Sequence, residues 1–225
     1  AKKLIVKISS SLEERSIIIN NFNSKSNFES RSTYLSSSEL ENLQINLKTI
    51  SGENISLTTK NLFLNVSSNT QSQKAEFNSK LSFDNFLVNS SFEDLNISDF
   101  NYDISISEID KDSLEELSVL ISKTKSNANV NETKQIKDKV LALFFKGLVI
   151  DIVDLSAKNI KLNKENLDGL SVKSNLVFKE NPSLANNILY APMTIVNYVD
   201  MDFRVALSKK IFSKIVSAQP MAIFA

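Results

Sequence analysis

The sequence contains no Cys, no His and no Trp, and only three Gly and three Pro among its 225 residues. Without Cys there is no disulfide, no thiolate nucleophile and no thiolate metal site. Without His the commonest general base near neutral pH and the commonest zinc ligand are missing. Ser-His-Asp and Cys-His arrangements are therefore excluded. Three scattered glycines cannot form a phosphate-cradling loop, and no G-x-S-x-G turn is present. Charge of one sign is not in surplus either, since Lys+Arg and Asp+Glu number 26 each. A nucleic-acid binder uses a basic surplus to replace counterions around phosphates. Lys2, Lys3 and Lys7 accordingly read as a solvated strand face, and no nucleic-acid partner is expected. No run of about 18 apolar residues exists to span a membrane as a helix. Together these absences predict a non-enzymatic protein with no cofactor and no metal.

What is present is ordinary globular material, 42% apolar and 23% charged, with 14 Phe. The dominant pattern is two-residue alternation, the mark of half-buried strands. It runs through Phe100, Tyr102, Ile104 and Ile106, and through Leu43, Ile45 and Leu47. Leu62, Leu64 and Val66 repeat it, as do Leu170, Val172, Leu176 and Phe178, with Ser174 as the one lapse. Val199, Met201, Phe203, Val205 and Leu207 close the series. Between 81 and 97 the phase slips: Leu81 and Phe83 give way to Phe86 and Val88, then Leu95 and Ile97. Such a slip turns the apolar side to the other face unless a bulge or strand break intervenes near Asp84-Asn85. Only Gly52, Gly147 and Gly169 offer a glycine for a left-handed turn.

Helical spacing appears at Leu114, Leu117, Leu120 and Ile121, and again at Ile136, Val140, Leu143 and Phe144. It predicts helices over 113–124 and 132–146 with Leu117 and Val140 buried. Asp112 with Glu115, or Ser113 with Glu116, would cap the first, and Gly147 would follow the second. Further helices are expected after Pro182, through Leu184, Ile188 and Leu189, and over Ser208–Ser217. The fold class is α+β: long antiparallel, curved sheet with inserted helices packed on one face. One elongated domain is expected over 1–225, with 1–110 β-rich, 111–147 a helical pair, and 148–225 β-rich with a helical C-terminal part.

Within that frame the block from about Asp99 to Ser174 carries a resemblance. Asp103-Ile104-Ser105-Ile106-Ser107 runs into Glu108-Ile109-Asp110-Lys111-Asp112-Ser113-Leu114, a strand leading into a helix start. Leu143-Phe144-Phe145-Lys146-Gly147, Val149-Ile150-Asp151-Ile152 and Leu155-Ser156-Ala157-Lys158-Asn159 follow in order. These stretches are similar to the YdgA-like family of bacterial envelope proteins, whose function is unknown. The match covers about a third of the chain well and departs at Lys111-Asp112, where that family tends to have Gly. The resemblance implies a signal anchor upstream, a periplasmic location tethered to the inner membrane, and long antiparallel strands with inserted helices. It implies no catalytic residues.

The polar constellations have plain readings. Asp200 and Asp202 share a strand face with Arg204, Asp151 and Asp154 flank a strand, and Glu115 and Glu116 suit the positive end of a helix. The loop Asn163–Gly169 is oxygen-rich but lacks calcium-loop spacing. Asn96, in Asp94-Leu95-Asn96-Ile97-Ser98, meets an acidic form of the N-x-S/T glycosylation triplet, with a chance match as the alternative. Met221, Ile223 and Phe224 follow Pro220 with no charge among them, and are expected to dock as an edge strand or against a partner.

Two function classes remain. The first is a periplasmic structural or interaction module that offers sheet edges and helix faces to protein partners or to its own copies. The second is a lipid or hydrophobic-ligand binder with a groove between sheet and helices. Either way, chelator treatment should leave the melting temperature unchanged, because a specifically bound ion would stabilise the fold by mass action. A drop of many degrees in EDTA, read by circular dichroism, would contradict the composition argument.

Overall fold

The computed structural model describes residues 3–9, 13–29, 33–49, 52–70, 72–123, 130–181 and 197–218. The chain lays down β1 (Lys3–Ser9), β2 (Glu13–Phe28), β3 (Tyr34–Thr49), β4 (Asn54–Asn69), β5 (Lys74–Asn89) and β6 (Asp94–Asp110) in unbroken succession. Helices α1 (Lys111–Lys123) and α2 (Val130–Phe144) follow, then β7 (Val149–Leu162), β8 (Glu165–Asn166), β9 (Leu170–Phe178), β10 (Val199–Leu207) and α3 (Lys209–Ala218). All ten strands form one antiparallel, curved and open sheet in the order β1-β2-β3-β4-β5-β6-β7-β9-β10, with β8 paired to β7. This is the α+β arrangement that the alternation predicted, built as a meander in which each strand pairs with the next, save that β7 pairs with β9 past the short β8.

Strand length sets the character of the molecule. β2 to β5 have 16 residues each and β6 has 17, about three times the common strand length. A single sheet this broad cannot bury both of its faces. The chain exposes 15308 Å², where a compact monomer of 25.2 kDa exposes about 10,300 Å².

Most of the packed core lies at one end of the sheet. Ala75, Ile109, Leu143 and Leu148 are buried there, with Phe77, Ile106, Leu114, Leu117, Phe144, Ile150 and Phe178 packed around them. Phe145, 1% exposed, closes the cluster with its ring edge-on to Phe178. Among the described residues, these side chains pack between the sheet and the helical pair. Leu117 and Val140, expected to be buried, are only half-buried. The expected helix after Pro182 and the docking residues Met221, Ile223 and Phe224 lie outside the described residues.

The cap of α1 differs from the expected pairs. Asp110, the last residue of β6, accepts a hydrogen bond from the Ser113 backbone N–H at 3.0 Å. The helix therefore starts at Lys111, and neither Asp112 nor Ser113 is the cap. The same carboxylate takes Lys146 Nζ at 2.7 Å, and Lys146 O accepts Lys74 Nζ at 2.9 Å. Asp110 thus ties the start of α1 to the turn after α2 and, through Lys146, to β5. Gly147, at φ +92°, takes the left-handed turn expected of it. The Lys146 ammonium first, then the Ser113 hydrogen bonds, hold the Asp110 carboxyl well below the ordinary 3.8, at about 2.

A carboxyl whose folded pKa lies below its unfolded value contributes stability above the unfolded pKa and loses it as pH falls through the folded one. Asp110 should therefore contribute about 1–2 kcal/mol at neutral pH, as caps of this type do, and lose most of it as pH falls from 4 towards 2. Asp110→Ala should lower stability by that amount at pH 7, with the gap from the parent shrinking steadily below pH 4. Urea titrations across that range would show it. A constant gap between the two proteins would contradict the assignment.

Candidate functional site

Directly opposed residues in antiparallel strands share a face, so the register sorts every strand position onto one of two sides. Away from the helices the first side carries Ile17, Ile19, Leu43, Ile45, Leu57, Phe86, Ile97 and Ile160 towards one end of the strands. Towards the other end it carries Phe22, Leu40, Leu62, Leu81, Phe83, Phe100, Tyr102 and Leu155. The second side is polar and laced by hydrogen bonds: Asn46 to Ser16 at 3.1 Å, Lys80 to Asp103 at 2.7 Å, Asn85 to Asn96 at 3.1 Å, and Asn175 to Asp151.

The odd-numbered apolar positions of β2, β4 and β6 at one end give way to even-numbered ones at the other. On a regular strand that change would put them on opposite faces. It does not, because each strand from β2 to β7 carries one additional polar residue at the same level. Asn21, Glu41, Asn61, Asp84, Asp99 and Lys158 lie opposite one another in a row across the strands, and none of them joins the ladder. Asn21, Asn61 and Asp99, on alternate strands, have φ of 52°, 52° and 50°. Asn and Asp are the non-glycine residues that tolerate this left-handed region best. The phase slip expected near Asp84-Asn85 is real, but no strand breaks there. The slip recurs in six strands at one level and keeps the apolar residues on one side.

Phe83 and Phe86 show the result. Three residues apart on a straight strand they would point to opposite faces about 10 Å apart, yet their ring centroids are 5.8 Å apart, and Phe83 stacks on Phe100 at 4.8 Å. All six residues of the row are exposed, while Thr59 and Ala157, beside it on the apolar side, are each 4% exposed. The sheet is therefore creased along this row and folds towards its apolar side.

Each acid in the row has a neighbouring donor. Asn21 donates to Glu41, Asn61 to Asp84 at 2.6 Å, and Lys158 lies 3.7 Å from Asp99. These contacts offset the opposition of Asp84 and Asp99, which would otherwise repel. At the end of the row Gly169 lies against Lys158, where a Cβ would come within 2.5 Å of the Lys158 carbonyl oxygen. Gly169 thus serves close approach and not a left-handed turn. Those turns fall to Asn and Asp, here and in the hairpin at Asn163 (φ 55°) and Asp168 (φ 62°).

On the apolar side between the row and the helical pair, the positions of β2 to β10 are Phe, Tyr, Leu, Ile, Val, Met, Ala or Ser, and none is charged. Its polar groups are hydroxyls, two pairs of which satisfy each other: Ser24 with Ser38 and Ser26 with Ser36, at 2.9 Å each. Much of this side is in reach of solvent: Phe22 is 58% exposed, Leu64 40% and Phe203 57%.

The remaining sequence candidates fall outside this face. Asn96 is half-buried in β6 on the polar side, its Oδ1 accepting from Asn85. Asp202 pairs with Arg204 at 2.7 Å and Asp200 with Lys179 at 2.8 Å. Glu116 bridges to Lys139 of α2, and Asp154 accepts from Ser156 at 3.1 Å. In the Asn163–Gly169 turn, Glu165 and Asp168 pair with Lys214 and Lys210 of α3. Among the described residues no group of three acidic side chains is placed to hold a metal ion.

The crease row was legible as a recurring doublet of polar residues, flanked by apolar ones except at Thr59: Asn20-Asn21, Glu41-Asn42, Lys60-Asn61, Asp84-Asn85, Ser98-Asp99 and Lys158-Asn159. If the left-handed backbone is what the row requires, Asn61→Gly should leave stability within about 0.5 kcal/mol of the parent. Asn61→Val should cost about 1–2 kcal/mol, since a β-branched residue resists that conformation. Urea midpoints at unchanged slope would measure both, and equal stability of the two variants would contradict the crease. No family model matches this chain, and neither curated proteins nor solved structures gave a match.

Proposed function

We propose that this protein is a non-enzymatic binding module whose creased apolar face carries an extended hydrophobic ligand, a long acyl chain of a lipid. The observation that carries the reading is the absence of charge on a face continuous from β2 to β10. An acyl chain makes no hydrogen bonds, so a surface of Leu, Ile, Val and Phe with self-satisfied hydroxyls leaves nothing unpaired when it binds. The crease gives the chain a line to follow. From β2 to β7 it crosses six adjacent strands, and five spacings of about 4.8 Å make about 24 Å. That length exceeds one leaflet of a bilayer, about 15 Å of hydrocarbon, and so takes a fully extended chain. The envelope location rests on the resemblance of the 99–174 block alone.

A second reading, association with a protein partner or another copy, is favoured by the sheet edges. Among the described residues β1 and β10 each pair on one side only, and Leu4, Ile5, Val6 and Ile8 are exposed on β1. Bare edges of this kind invite strand addition, and charges such as Lys3, Lys7 and Arg204 along them restrain it.

The ligand reading is tested by titrating the delipidated chain with cis-parinaric acid and following its fluorescence. Saturable enhancement is expected. Phe22→Asp and Leu64→Asp should each weaken binding about tenfold, a loss of about 1.4 kcal/mol. Both side chains are already solvent-exposed, so the fold should survive the charge. Asn65→Asp, on the polar side of β4, should bind as the parent does. If the parent fails to bind, or all three variants bind alike, the reading is wrong.

A further inference from the structure

Helix α3 leaves the end of β10 with only Ser208 between them. The Ser208 hydroxyl caps it by accepting from the Ile211 N–H at 3.1 Å and donates to the Leu167 carbonyl. Its apolar residues, Ile211, Phe212, Ile215 and Val216, recur at i, i+1, i+4 and i+5, which makes one broad stripe. Only one edge of that stripe is used. Ile211 is buried, whereas Phe212 is 60%, Ile215 47% and Val216 55% exposed. A helix that buries one apolar side chain against its own protein and leaves three large ones in water is amphipathic towards something else.

The surroundings indicate what that is. α3 contains Lys209, Lys210 and Lys214 and no acidic residue. Lys210 and Lys214, about half exposed, hold the inner edge of the helix to Asp168 at 3.4 Å and Glu165 at 2.8 Å. Lys209 lies beside the outer edge of the stripe, next to Val216 around the helix. Immediately before the helix, β10 exposes Met201, Phe203, Val205 and Leu207. Bare apolar residues flanked by lysines, with no hydrogen-bonding group among them, suit the boundary between acyl chains and anionic headgroups. A protein interface of this size would carry paired polar groups within it.

From this we infer that α3 docks on the surface of an anionic lipid bilayer, with Phe212, Ile215 and Val216 entering the headgroup boundary and Lys209 meeting lipid phosphates. The inference stands on α3 and β10 alone, whether or not the sheet face holds an acyl chain.

The full chain is tested with vesicles of phosphatidylcholine and phosphatidylglycerol. Because it has no Trp, Phe212→Trp places a single reporter on the stripe. Its emission should shift to the blue on vesicles and be quenched by bromo-acyl lipid. The Phe212→Asp/Ile215→Asp double variant should lose at least about tenfold in vesicle co-sedimentation. Its parinaric acid binding without vesicles should equal the parent's, which separates a failure here from a failure of the ligand reading. Unchanged Trp emission, or a parent chain that does not co-sediment, overturns the docking. So does a double variant that loses self-association or a protein partner while vesicle binding stays intact, which would assign the stripe to a protein.

Discussion

Side-chain alternation is the constraint on which this structure depends. A strand presents successive residues to opposite faces, so a 16-residue strand with one apolar side must keep phase for its whole length. Six strands here lose phase near the middle and recover it with one polar residue each, at one level of the sheet. Were any one strand to lack that residue, half of its apolar side chains would turn to the polar face, and its neighbours' pairs with them. The row Asn21, Glu41, Asn61, Asp84, Asp99 and Lys158 is therefore a shared feature of the sheet and not six independent irregularities. The bend, the shelter of Thr59 and Ala157, and the stacking of Phe83 on Phe100 all follow from it.

Much of this was readable in the sequence, and the parts that were not have physical reasons. Alternation in Phe100 to Ser107 or Val199 to Leu207 marks strands directly, because a half-buried strand must alternate. The helices at Leu114 and Ile136 were equally plain from their spacing. The α1 cap was missed because Asp112 and Ser113 have the right chemistry one turn too late, while Asp110 is claimed by Lys146, 36 residues away. Left-handed positions were sought at glycines and fell largely to Asn and Asp. In a chain so rich in Asn, single residues of this type stand out little, and only their recurrence across strands reveals the row. The degree of cover over the apolar side could not be read, since alternation specifies a face and not what lies upon it.

The distribution of packing connects the fold to the proposed role. Dense burial is greatest at the helix-covered end, where Ala75, Ile109, Leu143, Phe145 and Leu148 lie, with Leu167 and Ile211 buried together at the other. Elsewhere the sheet is held by its backbone ladder and same-face neighbours, and between the crease row and the helical pair one side is uncharged. A face that large in water favours a state in which it is covered, and the lack of charge between the crease and the helical pair is what the proposed acyl ligand rests on. The polar side, with its hydrogen-bonded Asn, Ser, Asp and Lys, keeps the assembly in water meanwhile.

Both halves of the account, one apolar side across the crease and an acyl chain upon it, meet in a single measurement. The chain is loaded with a fatty acid bearing a diazirine along its acyl chain and irradiated, and the labelled residues are mapped by peptide mass spectrometry. The account predicts labels on both sides of the crease at Leu40, Leu62, Phe83, Phe86, Ile97 and Phe100, and none at Asn65, Lys80 or Asn101 on the opposite face. Labels on both faces, or confined to the helical pair, would contradict it.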